Sequence, residues 1–428
     1  MAKFILKSMG CKSNQFEGQI LEEKLGNKGF EKINDIKAAD YYILNSCTVT
    51  HKSDSETLYL LRNAKHINPR IKTVLTGCMA QVDRDELQKL DYIDYLFGND
   101  DKFNIPEYLV NNEHIIVSDI MGLNIFNEQV LYDTTKTRIS LKVQDGCDNR
   151  CSYCIIPFAR GKSRSADEKF IINEINKYAN EGYKEVVITG IHIGQWGLDI
   201  NKRFIDLLKL LETSSIHRYR LGSLNPTEIP EDVLELLKSS DKFCPHFHLS
   251  LQSACDKTLR AMNRFYKTED YLKQIDYIAE NFNKPFIGCD IIAGFVGETD
   301  EDFEETVNNL KRSKLTKIHT FPYSIRKGTK AEGMEGHLPD KVKEERASII
   351  KQISSEKMNK FLQSNIGDIR EVLIEKRPDK HSGNLKGVTD NYIPVIIENG
   401  ADEFNTLKNV RIERIDNNKV FGKIIANE

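Results

Sequence analysis

Three cysteines, Cys147, Cys151 and Cys154, stand at C-x3-C-x2-C spacing in DGCDNRCSYCIIPFARG, close enough for their thiolates to surround one metal centre. Structural zinc takes four nitrogen or sulfur ligands, and no further cysteine or histidine follows within thirty residues. A 4Fe-4S cluster held by three thiolates leaves one iron open to a substrate ligand, so the missing fourth residue would itself be functional. The alternative is a zinc site completed by a distant histidine. A second set is dispersed: Cys11 in SMGCKSNQ, Cys47 in LNSCTVT and Cys78 in LTGCMAQ. Each follows a predicted strand, and the carboxyl ends of parallel strands line the ligand crevice of open α/β sheets, so the three should converge there. The alternative is ordinary buried thiols. Cys244, Cys255 and Cys289 have no partner at ligand spacing and read as packing residues.

The elements that must position these residues alternate along the chain. Strand patterns at 4–9, 41–46, 72–77 and 95–98 are separated by helical stretches from Asn14 to Lys28, from near Ser53, and over 84–90, with an edge strand at 114–117. Such alternation implies right-handed crossovers and a parallel sheet. A second alternation has strands at 138–143, 185–189, 218–222, 248–252, 286–294 and 318–323, with helices at 166–181, 204–213, 229–239, 268–282 and 299–312. Six strands are too few for an eight-fold barrel and fit a partial (β/α)6 barrel. Asp340 is the expected N-cap of a helix to about Phe361, and from Ile366 short strands punctuated by Gly, Asn and Asp read as a small antiparallel barrel. The fold class is α/β, in three domains: 1–125, 137–365 and 366–428.

Length and composition agree with that division. At roughly 150 residues per domain, 428 residues give about three domains. Hydrophobic residues at 39% and charged residues at 29% describe a soluble globular chain. No run approaches a membrane span, and the opening MAKFILKSMGC is too short in apolar residues for a signal peptide, so a cytoplasmic location without membrane contact is expected. In that reducing compartment nine cysteines, an odd number, argue for metal or redox chemistry over disulfides. The formal charge of -3 announces no nucleic-acid binder, so any such surface must be local.

DGCDNRCSYCIIPFARGKSRS resembles the cluster loop of radical S-adenosylmethionine enzymes of the methylthiotransferase family. GCKSNQFEG, NSCTVTHKSD and TGCMAQ resemble that family's three N-terminal cysteine segments, and HFHLSLQSACDKTLRAMNR, DIIAGFVGETDEDF and FPYSIRKGT its barrel motifs. The first two segments are most similar to the bacterial branch acting on threonylcarbamoyladenosine beside the tRNA anticodon. Val296 and Ile325 stand where proline is usual, and Ala254 where glycine is common; none is a cluster ligand.

The resemblance implies two 4Fe-4S clusters, one on Cys147, Cys151 and Cys154 and one on Cys11, Cys47 and Cys78. It also implies two uses of S-adenosylmethionine: cleavage to a 5′-deoxyadenosyl radical that activates carbon 2 of adenine, and methyl transfer to a sulfur on the N-terminal cluster. The unactivated aromatic C–H offers no accessible proton, which is why a radical is needed. Tyr153, Gly190, Ser223, Gln252 and Asp290 are the expected cofactor contacts. The implied partners are the tRNA anticodon stem-loop, an external electron donor and a sulfur source, and the C-terminal barrel resembles the RNA-binding TRAM domain.

Residues 311–331 carry seven Lys or Arg and no acid, and Arg62, Lys65, Arg70 and Lys72 form a smaller run, so both are candidate phosphate contacts. Residues 366–428 hold ten basic and eleven acidic residues, so RNA binding there would rest on shape and a few placed side chains. Other readings are a methylthiotransferase for isopentenyladenosine tRNA or for ribosomal protein S12, and a non-catalytic zinc-bearing RNA-binding protein.

Overall fold

The computed structural model describes residues 1–131, 136–398, 400 and 403–425. Its first layer is a six-stranded, all-parallel sheet in the order Glu31–Lys32, Lys3–Ser8, Tyr41–Ser46, Lys72–Gly77, Tyr95–Phe97, Ile115–Ile116. Successive residues of a buried strand serve opposite faces. Ile43 and Val74 therefore pack on Leu21 and Leu25 of helix Lys12–Asn27, while Leu44 and Leu75 pack on Leu61 and Ala64 of helix His51–Ile67. The second helix starts two residues before the expected Ser53 because the Thr50 hydroxyl caps it, accepting the Ser53 N–H at 3.2 Å.

The second unit is a partial barrel. Strands Ile139–Lys142, Glu185–Thr189 and Arg218–Leu221 form one parallel sheet, and His246–His248, Phe286–Ala293 and Lys317–Pro322 another. Single bridges Tyr219–Phe243 and Leu224–Leu249 continue the first into the second. Leu141, Ile188, Leu221, Leu249, Ile291 and Ile318 fill the layer between strands and outer helices. The fourth strand stops at His248, short of the expected 252, because the chain turns at Gln252, whose φ of 70° is left-handed.

Helix Asp340–Ser364 begins with Asp340 rather than being capped by it: extended Pro339 precedes the helix, and the Asp340 carboxylate accepts from Lys343 Nζ at 3.0 Å. Ile350 and Ile353 of this helix belong to the barrel core, while Phe361 and Leu362 belong to the core of the C-terminal unit. That unit is a closed five-stranded barrel, and it departs from the expected antiparallel pattern at one seam, where Pro394–Ile397 runs parallel to Lys419–Ile424. Phe286 of the larger barrel is also part of its core.

Polar docking reinforces the junction between the two barrels. Buried Glu185 accepts from Arg218 Nε at 2.8 Å and Arg220 Nε at 2.7 Å. The same arginines donate to the carbonyls of Val388 at 3.1 Å and Asp390 at 2.7 Å in the C-terminal barrel. Burial disfavours the Glu185 carboxylate, but the two guanidiniums outweigh it and hold its pKa at about 2. A carboxyl whose folded value is depressed stabilises the fold above its unfolded value and loses that contribution as pH falls toward the folded value. Between about pH 4.5 and pH 2 the protein should therefore lose about 3 kcal/mol from this group. Denaturant unfolding at stepped pH checks this, with Glu185→Gln expected to lack that part of the acid dependence.

Candidate functional site

The three dispersed cysteines meet at the carboxyl edge of the parallel sheet. Cys11 follows Lys3–Ser8, Cys47 directly follows Tyr41–Ser46, and Cys78 opens the short helix after Lys72–Gly77. Two glycines let the loops touch. A Cβ on Gly10 (φ 80°) would lie 2.7 Å from the Cys47 sulfur, and one on Gly77 (φ 94°) 2.4 Å from the Ser46 carbonyl oxygen. Cys47 and Cys78 are buried, whereas Cys11 is exposed. Burial raises the Cys11 and Cys47 thiols, Cys47 to about 12, and proximity of the other thiols of the set adds to both shifts.

The compact set is held by backbone bonds around its loop. Cys147 N–H donates to Gly161 O at 3.1 Å, Ser152 N–H to Met262 O at 3.0 Å, and Ala331 N–H to Ser152 O at 2.7 Å. Burial raises Cys151 and pushes Cys154 up to about 12, with neighbouring cysteines adding to both shifts. Cys147 Sγ lies 3.4 Å from His192 Nδ1, and His192 also bonds Glu228 and Asn225. Burial opposes its protonation, but the bonds to Cys147 and Glu228 prevail and hold its pKa near 9.

A buried ion network joins the N-terminal and barrel units. Glu17, in the helix that starts after Cys11, accepts from Lys102 and Lys142 Nζ at 2.6 Å each and from Arg160 at 2.7 and 3.0 Å. Asp145 pairs with the same Lys142 and Arg160 at 2.7 and 3.1 Å. Arg160 ends the helix after Cys154, and its charge acts on both Cys11 and Cys47. Other ties cross at the same level: Asn99 Nδ2 lies 3.6 Å from Cys78 Sγ and 2.9 Å from Ala159 O, and Arg326 donates to Thr48 at 2.9 Å. Through these ties the unit bearing Cys11, Cys47 and Cys78 packs against the unit bearing Cys147, Cys151 and Cys154.

The donor sets fit iron–sulfur clusters. Several thiolates repelling one another in buried surroundings are stable when a cationic body lies among them, and each set supplies three. Among the described residues no group of three His, Cys, Asp or Glu is disposed to hold a single metal ion.

Tyr153 contacts Phe295 edge-on at 6.2 Å, and its hydroxyl accepts from Arg264 at 3.1 Å. Gly190 directly follows the strand Glu185–Thr189; a Cβ there would sit 2.8 Å from Ile193 Cγ2 and 2.9 Å from the Gln144 carbonyl oxygen. Ser223 is exposed just past Arg218–Leu221. Gln252 keeps its left-handed φ by donating its N–H to Asp290 O at 2.7 Å, and Asp290 Oδ2 lies 2.9 Å from His248 Nε2. A residue so strained costs about 1–3 kcal/mol and is concentrated at functional sites. Gln252 and Asp290 are thus adjacent.

Glu17, Lys102, Arg160, His192 and Arg264 were given no role by sequence reasoning; Glu17, Arg160 and Arg264 lie within the quoted motifs, but nothing in spacing marks their burial. Cys244 and Cys289 are buried, and Cys255, also buried, donates to Glu305 at 3.3 Å. The basic run 311–331 is partly neutralised: Arg312 pairs with Glu269, Lys314 with Glu280, and Arg326 with Asp54. In the smaller run Lys65 and Lys72 pair with Asp94. No helix among the described residues is long and apolar enough to cross a membrane.

The radical SAM superfamily model matches residues 141–310, and a model described as uncharacterized protein family UPF0004 matches residues 3–98. The chain is 37% identical to threonylcarbamoyladenosine tRNA methylthiotransferase MtaB of Aquifex aeolicus, covering 96% of this chain and 100% of that protein. It is 33% identical to the tRNA-2-methylthio-N(6)-dimethylallyladenosine synthase of Thermodesulfovibrio yellowstonii, covering 98% of each. The radical S-adenosylmethionine methyltransferase TsrM of Kitasatospora setae shares the fold at 14% identity, with a TM-score of 0.55 over 77% of this chain and 75% of that one. Such identity, sustained from end to end through both cysteine-bearing units, places the chain in the radical S-adenosylmethionine methylthiotransferase family.

Proposed function

We propose that the protein adds a methylthio group to carbon 2 of N6-threonylcarbamoyladenosine in the anticodon stem-loop of tRNA. The observation that supports this is the convergence of Cys11, Cys47 and Cys78 at one sheet edge, in a unit packed against the helix that follows Cys154. Cys147, Cys151 and Cys154 hold one 4Fe-4S cluster and Cys11, Cys47 and Cys78 the second. When bound, the clusters supply the electron that splits S-adenosylmethionine and the site that carries the sulfur to be methylated. Arg160 and Lys102, bound to Glu17, present buried positive charge to the N-terminal triad, and Arg264 does so to Cys151 and Cys154. Gln252 and Asp290 line the barrel side, Ser223 stands at its rim, and Tyr153 and Gly190 support the loop and strand beneath. An external electron donor and a sulfur source complete the reaction in the cytoplasm. Residues 1–125, 137–365 and 366–428 serve as cluster-bearing, radical and RNA-binding units.

The threonylcarbamoyl substrate is favoured by the 37% relative, and the dimethylallyl substrate is the second reading because a 33% relative acts on it. Mass spectrometry of tRNA nucleosides from cells lacking the gene separates them. The expected result is loss of 2-methylthio-threonylcarbamoyladenosine, with its unthiolated precursor accumulating and the isopentenyl derivative unchanged. An unaltered nucleoside profile would leave the ribosomal protein S12 reading standing instead.

A further inference from the structure

A cavity of about 490 Å³ opens where all three units meet, beside the first strand of the partial barrel. Of its fifteen lining residues seven are Lys or Arg and one, Glu375, is acidic. The helix after Cys11 contributes Lys12, the barrel contributes Arg138 and Arg220, and the C-terminal barrel contributes Lys376, Arg377 and Lys386. Existing anions cover only part of this charge. Arg138 and Lys386 share Glu375 at 3.3 and 3.5 Å, and Arg220 is taken by Glu185. Among the described residues no carboxylate pairs with Lys12, Lys376 or Arg377. A concentration of like charge in a concave, protein-walled space is costly unless an anion enters it.

Tyr392 marks the same place. It is a bulky residue held at φ 72°, a conformation uncommon outside glycine and asparagine. Its ring lies 5.1 Å from the Arg220 guanidinium and 5.9 Å from Lys12 Nζ, so it orients cations from two different units around the cavity. Lys12 directly follows Cys11, which puts the cavity rim next to the N-terminal triad.

We propose that this cavity is an oxyanion subsite for the substrate, an inference that rests on the function proposed above. Two oxyanions of that substrate have the required chemistry. One is the carboxylate of the threonyl group, carried on the same six-membered ring as carbon 2. The other is a backbone phosphate of the flanking nucleotides. Either would be bound by charge-assisted hydrogen bonds from Lys12, Lys376 and Arg377, and a carboxylate there would distinguish a threonylcarbamoyl from a dimethylallyl nucleoside, which has no anion.

The test uses full-length, cluster-loaded protein and three synthetic anticodon stem-loops that differ in one nucleoside: threonylcarbamoyladenosine, isopentenyladenosine or adenosine. Arg377→Gln and the pair Lys376→Gln with Arg377→Gln lie far in sequence from every cysteine, and unchanged iron content verifies that both clusters are intact. Binding is measured at several salt concentrations. The expected result is a loss of about tenfold in affinity for the double variant. If that loss is confined to the threonylcarbamoyl stem-loop, the carboxylate fills the site. An equal loss on all three, with a shallower salt dependence, assigns it to phosphate. Wild-type affinity for all three in both variants would overturn the proposal. Failure of the functional reading looks different: the unmutated protein would methylthiolate another stem-loop in preference, while the effect of the variants on binding would still report on the subsite.

Discussion

Alanine at Cys147, Cys151 and Cys154 together is expected to abolish cleavage of S-adenosylmethionine and to leave about half of the eight iron and eight labile sulfide expected per reconstituted chain. Alanine at Cys11, Cys47 and Cys78 should leave the same half, yet still release 5′-deoxyadenosine and form no methylthio product. The asymmetry follows from the division of labour proposed for the two triads. Only the loop 147–154 belongs to the barrel whose strand ends carry Gln252 and Asp290, whereas the other triad stands at the edge of the six-stranded sheet. Iron and sulfide analysis with product quantification checks both variants. A first variant that keeps its full iron, or a second that still methylthiolates, would sink the corresponding ligand assignment.

Glu17→Gln should cost about 3–5 kcal/mol of stability, the largest effect expected of any single neutral replacement outside the cysteines. The wild-type carboxylate is almost wholly buried and is held well below the usual carboxylate range: burial opposes ionisation, but Arg160, Lys102 and Lys142 prevail. An amide cannot balance three cations that have no route to water, so they remain buried and under-compensated. Denaturant unfolding measures the loss. Adding Lys102→Met to Glu17→Gln should recover part of it, because one of the stranded cations is then gone; a double-mutant cycle gives the coupling. Strict additivity of the two changes would show that Glu17 and Lys102 do not act as a unit.

The cysteine sites were legible because their signals are local. Each dispersed cysteine follows a strand whose apolar run is plain, and parallel pairing then dictates that Cys11, Cys47 and Cys78 share one edge. The compact set declares itself by spacing alone. The ion network was not legible, since Glu17, Lys102, Lys142 and Arg160 are scattered over more than a hundred residues and look like solvated charges until the two units close on them. The basic run 311–331 shows the reverse: contiguous in sequence, it is partly neutralised in space by Glu269, Glu280 and Asp54. The fourth barrel strand was drawn too long because a left-handed glutamine at 252 carries no warning in its residue type. The parallel seam of the C-terminal barrel depends on which strands meet at closure, and alternation along one strand does not encode that.

The helix Asp340–Ser364 places its middle in one core and its end in another. A chimera that exchanges the C-terminal barrel between relatives therefore has its natural junction ahead of Asp340, not after Asn365. Cutting after the helix would leave Phe361 and Leu362 facing a foreign partner. The unit of recombination is the helix together with the barrel it enters, and Phe286, which stays behind, is the buried residue to match when the replacement is chosen.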